Sequence, residues 1–216
     1  MKNIIISLVL LNAIIFAQLQ SFFIDSRDGK LYRTTKIGKQ TWMAENLNYD
    51  TTGSNCHGDS ISYCDKYGRL YDWETAMKVC PSGWHLPNNE EWTALIKFAG
   101  GEKKAGIKLK ATSGWDEYKY KCDFETCPGN GTDNYGFAAL PGGWNTKRDS
   151  LTAPMNIGRD GYWWSATKCD ITQGSTKTCP DNYYVYMWSM YNVISSVRNY
   201  TGNTFTSLYS VRCLKN

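Results

Sequence analysis

The stretch YDWETAMKVCPSGWHLPNNEEWTALIKFAGG, residues 71–101, decides how this chain folds. In its first half Trp73, Ala76, Met77 and Cys80 fall at i, i+3, i+4 and i+7, the spacing of one buried helical face, and Pro81 breaks the run. The second half restarts the same period. Asn88 is a fitting N-cap, Glu91 follows three residues later as in a capping box, and Trp92, Leu95, Ile96 and Ala99 precede the stop at Gly100-Gly101. The spacing predicts helices over Tyr71–Cys80 and from Asn88 to Ala99, joined by a rigid connector from Pro81 to Pro87.

Cys80 sits at the joint between these helices, and it is one of eight cysteines. Six are close neighbours, which predicts the local staples Cys56–Cys64, Cys122–Cys127 and Cys169–Cys179. The remaining pair, Cys80–Cys213, then forms a long clasp. An even cysteine count reads as a disulfide framework when the chain is exported. Export is expected from residues 1–17, where Lys2 gives a positive start, Ile4 to Phe16 is nearly all apolar, and Ala17 is a small residue at a cleavage point. That run falls short of the about 20 residues a membrane span needs. Residues 18–216 are expected as one mature domain, with a destination in the periplasm, on the outer surface or outside the cell.

Outward from the helix pair, turn chemistry at Asp25 to Gly29 and at Ile37-Gly38 separates the runs Leu31–Thr35 and Gln40–Met43, an expected hairpin system. Residues 50–66 read as a polar loop. Residues 101–161 show little periodicity beyond Phe137–Pro141, which reads as a short buried strand, so this long connection is expected to be pinned internally or to carry function. From Gly161 the chain reads as strands over Tyr162–Thr167, Tyr183–Met190, Val193–Asn199 and Thr204–Cys213, with a turn at Thr201-Gly-Asn203.

Early helices, a central loop and late strands clasped by Cys80 and Cys213 resemble the C-type lectin fold. Trp73, Ala76 and Cys80, then Gly83, Leu86 and Glu91, are similar to its helix-pair signature. The chain more closely resembles the Fibrobacter succinogenes major paralogous domain. The matching pieces are the stretch Gly38 to Asn48, Cys80 to Pro87 with Glu91-Trp92, the stretch Gly136 to Trp144, Tyr162 to Ala166, and Ser210 to Cys213. The resemblance implies a single α+β domain of C-type-lectin-like or sulfatase-modifying-factor-like architecture. It also implies, as an alternative activity, formylglycine-generating oxidase chemistry. That chemistry uses a pair of cysteines near the end of the domain, and here only Cys213 is available.

The remaining residues carry little chemistry. The net charge is +4 for the whole chain and one unit less without Lys2, with Lys103/Lys104 and Lys108/Lys110 as the basic cluster. That is too weak for a nucleic-acid footprint. His57 and His85 are the two histidines, and His85 is expected to bond a backbone carbonyl within its tight connector. The acidic-Pro-Asn and Trp-Asn-Asp triplets of calcium-dependent lectins are missing, so neither metal nor cofactor is expected. Fifteen Tyr and nine Trp are the compositional excess. Rings near the central loop, among them Trp115, Tyr118, Tyr120, Trp144 and Tyr162, are expected either to pack or to stack on sugars. Trp115 and Tyr118 have polar neighbours and should be exposed. One of Trp163 and Trp164 should face outward, because successive strand residues alternate. The expected function is a non-enzymatic surface module engaging a glycan or protein partner through 101–161, with Trp115, Tyr118, Trp144 and Arg148 as contributors. A structural envelope role is the further alternative.

Overall fold

The computed structural model describes residues 21–117, 129–146, 155–169 and 184–216. The expected leader, and Cys122, Cys127, Cys179, Tyr118, Tyr120 and Arg148, lie outside these residues. The fold is α+β. In chain order it runs β1 (Ser21–Ile24), β2 (Leu31–Ile37), β3 (Gln40–Met43), β4 (Ser54–Asn55), a 3-10 turn (His57–Asp59), α1 (Ile61–Tyr67), β5 (Leu70–Tyr71), α2 (Trp73–Val79), β6 (Trp84–His85), α3 (Asn89–Phe98) and α4 (Glu102–Leu109). Then follow β7 (Asn145–Thr146), β8 (Asp160–Lys168), β9 (Tyr184–Tyr191), β10 (Val197–Asn203), β11 (Ser207–Ser210) and β12 (Leu214–Lys215).

The hairpins form where turn chemistry places them, with β1, β2 and β3 paired antiparallel. Helix α3 also starts as expected. The Asn88 side chain accepts from the Glu91 N–H at 2.9 Å while Glu91 accepts from the Asn88 N–H at 2.8 Å, which satisfies two otherwise orphaned donors. Helix α2 is shorter than its periodicity and capped by Asp72. Its inward face is Trp73, Ala76 and Val79, so Met77 is exposed rather than buried. Two helices were hidden in stretches read as loop. In α1 the buried positions are Cys64 and Tyr67; in α4 they are Ala105, Gly106 and Leu109. Gly106 has no side chain because a Cβ there would lie 2.6 Å from the Ser195 carbonyl, and that removes an apolar residue from the periodicity. The turn expected at Thr201–Asn203 is part of β10, paired with Tyr184–Tyr186. The ladder runs through Gly202, where a Cβ would meet the Tyr209 ring at 2.8 Å, and the chain turns instead over 204–206.

Two sheets organise these elements. One has the order β1-β2-β3-β12-β6, the other β10-β9-β8-β11-β5-β4, with β7 also paired to β11. One core gathers Ile37, Trp42, Trp92, Leu95, Leu109, Phe137, Trp163, Trp188 and Leu214; the other gathers Tyr32, Met43, Tyr71, Trp73, Trp84, Trp164, Met187, Tyr209 and Val211. Strand β8 lies between them. Trp163 and Trp164 point to opposite faces as alternation demands, yet both are fully buried, because each face has its own core. Their indole N–H groups donate to Asn46 Oδ1 at 2.8 Å and to the Tyr71 carbonyl at 2.7 Å.

Buried charge accompanies the rings. Arg212 is 1% exposed and makes no carboxylate contact within hydrogen-bond range among the described residues. It donates to Asn46 Oδ1 from Nε and Nη2 and to the Phe137 carbonyl, and its guanidinium lies 4.4 Å from the Phe137 ring centre. Burial draws its pKa down to about 9, so it is charged at neutral pH. Lys110, a member of the basic cluster in sequence, is also fully buried. Its ammonium donates to the carbonyls of Gly129, Tyr191 and Ile194, and so ties the central connection to the end of β9.

Cys56 is bonded to Cys64 and Cys80 to Cys213, with Cα–Cα distances of 5.1 and 5.9 Å. Cys169 is also disulfide-bonded. The Cys80–Cys213 bond holds the end of α2 to the segment where the chain crosses from β11 in one sheet to β12 in the other.

Candidate functional site

Register brings rings together that are distant in sequence. Tyr162 of β8 faces Ser189 of β9, so Tyr162, Ser189 and Tyr191 share a sheet face. On β10, Arg198 and Tyr200 pair with Ser189 and Met187 and extend that face; both are exposed. Tyr209 of β11 lies at the centre. It stacks on Tyr162 at 5.4 Å, meets Trp164 at 4.3 Å, and takes the edge of Trp144 at 6.4 Å. Tyr191 adds an edge-on contact to Tyr162 at 5.9 Å. Tyr209 and Trp164 are buried, whereas Trp144, Tyr162 and Tyr191 are half-buried.

A polar corner adjoins these rings. Asp160 accepts from the Tyr162 hydroxyl at 3.0 Å and from Asn156 Nδ2 at 2.6 Å. Asn156 adopts a left-handed φ of 61°, a conformation asparagine tolerates, which turns its amide back onto the carboxylate. Burial raises the Asp160 carboxyl above its ordinary value despite these two bonds. Burial, with the neighbouring Asp160 charge, also raises the Tyr162 phenol, so that hydroxyl stays protonated and donates. Among the described residues no group of three His, Cys, Asp or Glu is placed to hold a metal ion. What the arrangement offers is ring faces beside hydroxyl, amide and carboxylate groups, the chemistry of stacking and hydrogen bonding.

His57 supports this corner from behind. It is 2% exposed, its Nε2–H donates to the Met155 carbonyl at 3.3 Å, and its Nδ1 has no partner. The same carbonyl accepts from the Trp144 N–H at 3.2 Å. Burial lowers the His57 pKa below its ordinary 6.5. The unfolded chain therefore binds the extra proton first, and stability present above pH 6.5 is lost as pH falls through the lowered folded value. Urea unfolding at about pH 7.5 and about pH 4.5 should show a larger acid loss for the wild type than for His57→Gln. Equal losses would remove His57 as the cause.

The residues singled out from sequence are not all here. Trp144 and Tyr162 belong to the ring cluster. Trp115 does not: it is 3% exposed, donates its indole N–H to the Ala139 carbonyl at 2.9 Å, and has the Lys110 ammonium 5.0 Å from its ring centre. Its polar sequence neighbours are turn residues, while α4 and residues 129–139 close over the ring. His85 also departs from expectation. It bonds the carboxylate of Glu91 at 2.9 Å and Asn216 Oδ1 at 2.6 Å rather than a backbone carbonyl, which reinforces the start of α3. Tyr191, Tyr200, Tyr209 and Asp160 were missed. The placement of the three tyrosines depends on pairing across β8, β9, β10 and β11, which local patterns do not encode, whereas Asp160 contacts Asn156 and Tyr162, only four and two positions away.

Away from the rings, a concavity of about 430 Å³ lies between β2, residues 44–48, α1 and residues 138–140. Leu31, Tyr67 and Leu140 line it, and an Arg33–Glu45 ion pair of 2.8 Å stands in it. Phe22, Ile24 and Leu31 are exposed on the hairpin beside it.

In comparison with known proteins, the family model of the Fibrobacter succinogenes major domain matches residues 35–215. No curated protein and no solved structure matches the chain.

Proposed function

The chain belongs to the Fibrobacter succinogenes major domain family, and from that premise we propose that it is an exported, non-enzymatic module of C-type-lectin-like architecture that binds a glycan without calcium. The observation that carries this reading is the half-buried platform of Trp144, Tyr162 and Tyr191 around Tyr209, with Asp160 and Asn156 at its edge. Flat rings already fixed by packing lose little entropy when a sugar face stacks on them. The leader expected at 1–17 and the disulfide framework support export. The Cys80–Cys213 bond supports a non-oxidase role, since a thiol held in a disulfide is neither nucleophile nor metal ligand.

Retention on a panel of immobilised polysaccharides tests the reading. Binding to at least one polymer should survive EDTA, and Trp144→Ala and Tyr162→Ala should each weaken it about tenfold or more, roughly 1.4 kcal/mol. Absence of retention across the panel, or variants that bind like the wild type, would overturn it.

The second reading is an assembly role. It is favoured by β1, an edge strand with no charged or proline residue, whose Phe22 and Ile24 are exposed beside Leu31. It predicts self-association in sedimentation that Ile24→Lys abolishes. A monomer at millimolar concentration would dismiss it.

A further inference from the structure

Folding collects a lysine patch that is scattered in sequence. The last turn of α3 carries Lys97 and Phe98, the first turn of α4 carries Lys103 and Lys104, and Lys108 follows one turn later. The β2–β3 turn joins them: Gly38 lies against the Phe98 ring, where a Cβ would be 3.0 Å away, and Lys39 is next to it. Across the helix junction, the Lys108 ammonium would stand 3.1 Å from a Cβ at Gly100, with Lys104 beside it. Lys39, Lys97, Lys103 and Lys104 are exposed and Lys108 is half-buried. Among the described residues none of the five forms an ion pair. The five lysines, with Glu102 of the same α4 turn, sum to +4, equal to the net charge of the whole chain.

Lys97 and Lys108 lie in last turns that favour a cation, but the start of α4 is placed against helix stability. Lys103 and Lys104 sit at the positive end of the α4 dipole, and Lys104 and Lys108 are like charges at i and i+4. A local cost with no compensating partner in the fold is a mark of a functional surface. Phe98, 53% exposed and set edge-on to Tyr135 at 5.5 Å, adds an apolar ring amid the ammonium groups.

We infer that the α3–α4 junction is a binding surface for an acidic polysaccharide, with Lys39, Lys97, Lys104 and Lys108 meeting its carboxylates and Phe98 packing against a sugar face. Charge complementarity identifies the class. The patch offers lysine point charges rather than bidentate arginine forks, and the exposed Phe98 ring among them suits a polyanion built of sugar rings. The surface uses none of the ring-platform residues, so either site stands without the other.

Affinity electrophoresis through polygalacturonate tests this on the full mature chain. Retardation is expected at low ionic strength, weakening about tenfold or more between 50 and 200 mM salt. Lys97→Glu/Lys104→Glu should abolish it while circular dichroism stays unchanged, and Lys97→Arg/Lys104→Arg should restore it. Phe98→Ala should weaken binding about threefold at constant charge, which simple ion exchange would not show. No retardation at low salt, retardation unaffected by charge reversal, or duplex DNA bound more tightly through the same lysines would each overturn the proposal.

Discussion

Asn46→Leu is expected to destabilise the fold by about 3–5 kcal/mol, the cost of leaving a buried charge without its partner. The Asn46 Oδ1 accepts from Trp163 Nε1 at 2.8 Å and from Arg212 Nη2 and Nε at 2.7 and 3.1 Å. Its Nδ2 donates to the Tyr67 carbonyl at 2.8 Å and to Ser210 Oγ at 3.3 Å. One amide therefore connects α1, β8 and the β11–β12 crossover. Leucine fills much the same volume but accepts nothing, leaving the guanidinium with the Phe137 carbonyl alone. Denaturant unfolding should read the loss directly, and the midpoint temperature should fall by about 6–20 °C for a chain of this size. Adding Arg212→Met removes the stranded charge, so the double variant should be more stable than the sum of the single changes by about 1 kcal/mol or more. A single variant costing under about 1 kcal/mol would show that the guanidinium finds other acceptors.

The second large effect is expected from Cys80→Ser/Cys213→Ser. The bond closes a sequence separation of 133, for which a chain-entropy treatment gives about 5 kcal/mol and removal typically costs about 2–5. Cys56→Ser/Cys64→Ser opens a separation of only 8, worth about 2.5 kcal/mol by the same treatment. The order of the two losses is the test: equal losses would mean that native packing around Cys213, rather than restriction of the unfolded chain, sets the contribution. Both cysteines of each pair are replaced so that no stray thiol confuses the comparison.

These two sites also show what sequence reasoning reaches. Helix α3 was legible because its capping box and apolar period are local and agree with each other. Helix α4 was not, because Gly106 is required by a carbonyl contributed 89 positions later and Lys110 is a buried cation that reads as a surface one. The ring platform has the same difficulty. Trp144 and Tyr162 stand out as aromatic residues near the long connection, but nothing local says that Tyr209 will lie between them or that Tyr191 will meet Tyr162. Trp115 was misplaced for a related reason: polar neighbours describe the turn that carries the ring, not the space it enters. Even the alternation rule at Trp163-Trp164 held geometrically, while its inference of exposure failed because a second core covers the far face.

The position of β12 governs how this fold must be assembled. Leu214 pairs with Trp42 on one side and His85 on the other, so β3 and β6 have no strand between them until that residue arrives. Arg212 and Cys213, immediately before it, complete the polar hub and the long bond. The chain order thus delivers the keystone of one sheet only after all four described helices and every described strand of the other sheet have been made. Closure must wait for synthesis, and an arrested chain lacking residues 212–216 would expose Trp42, Trp163 and the unpaired edges of β3 and β6 together. For this architecture, quality control is a matter of timing as much as of energy.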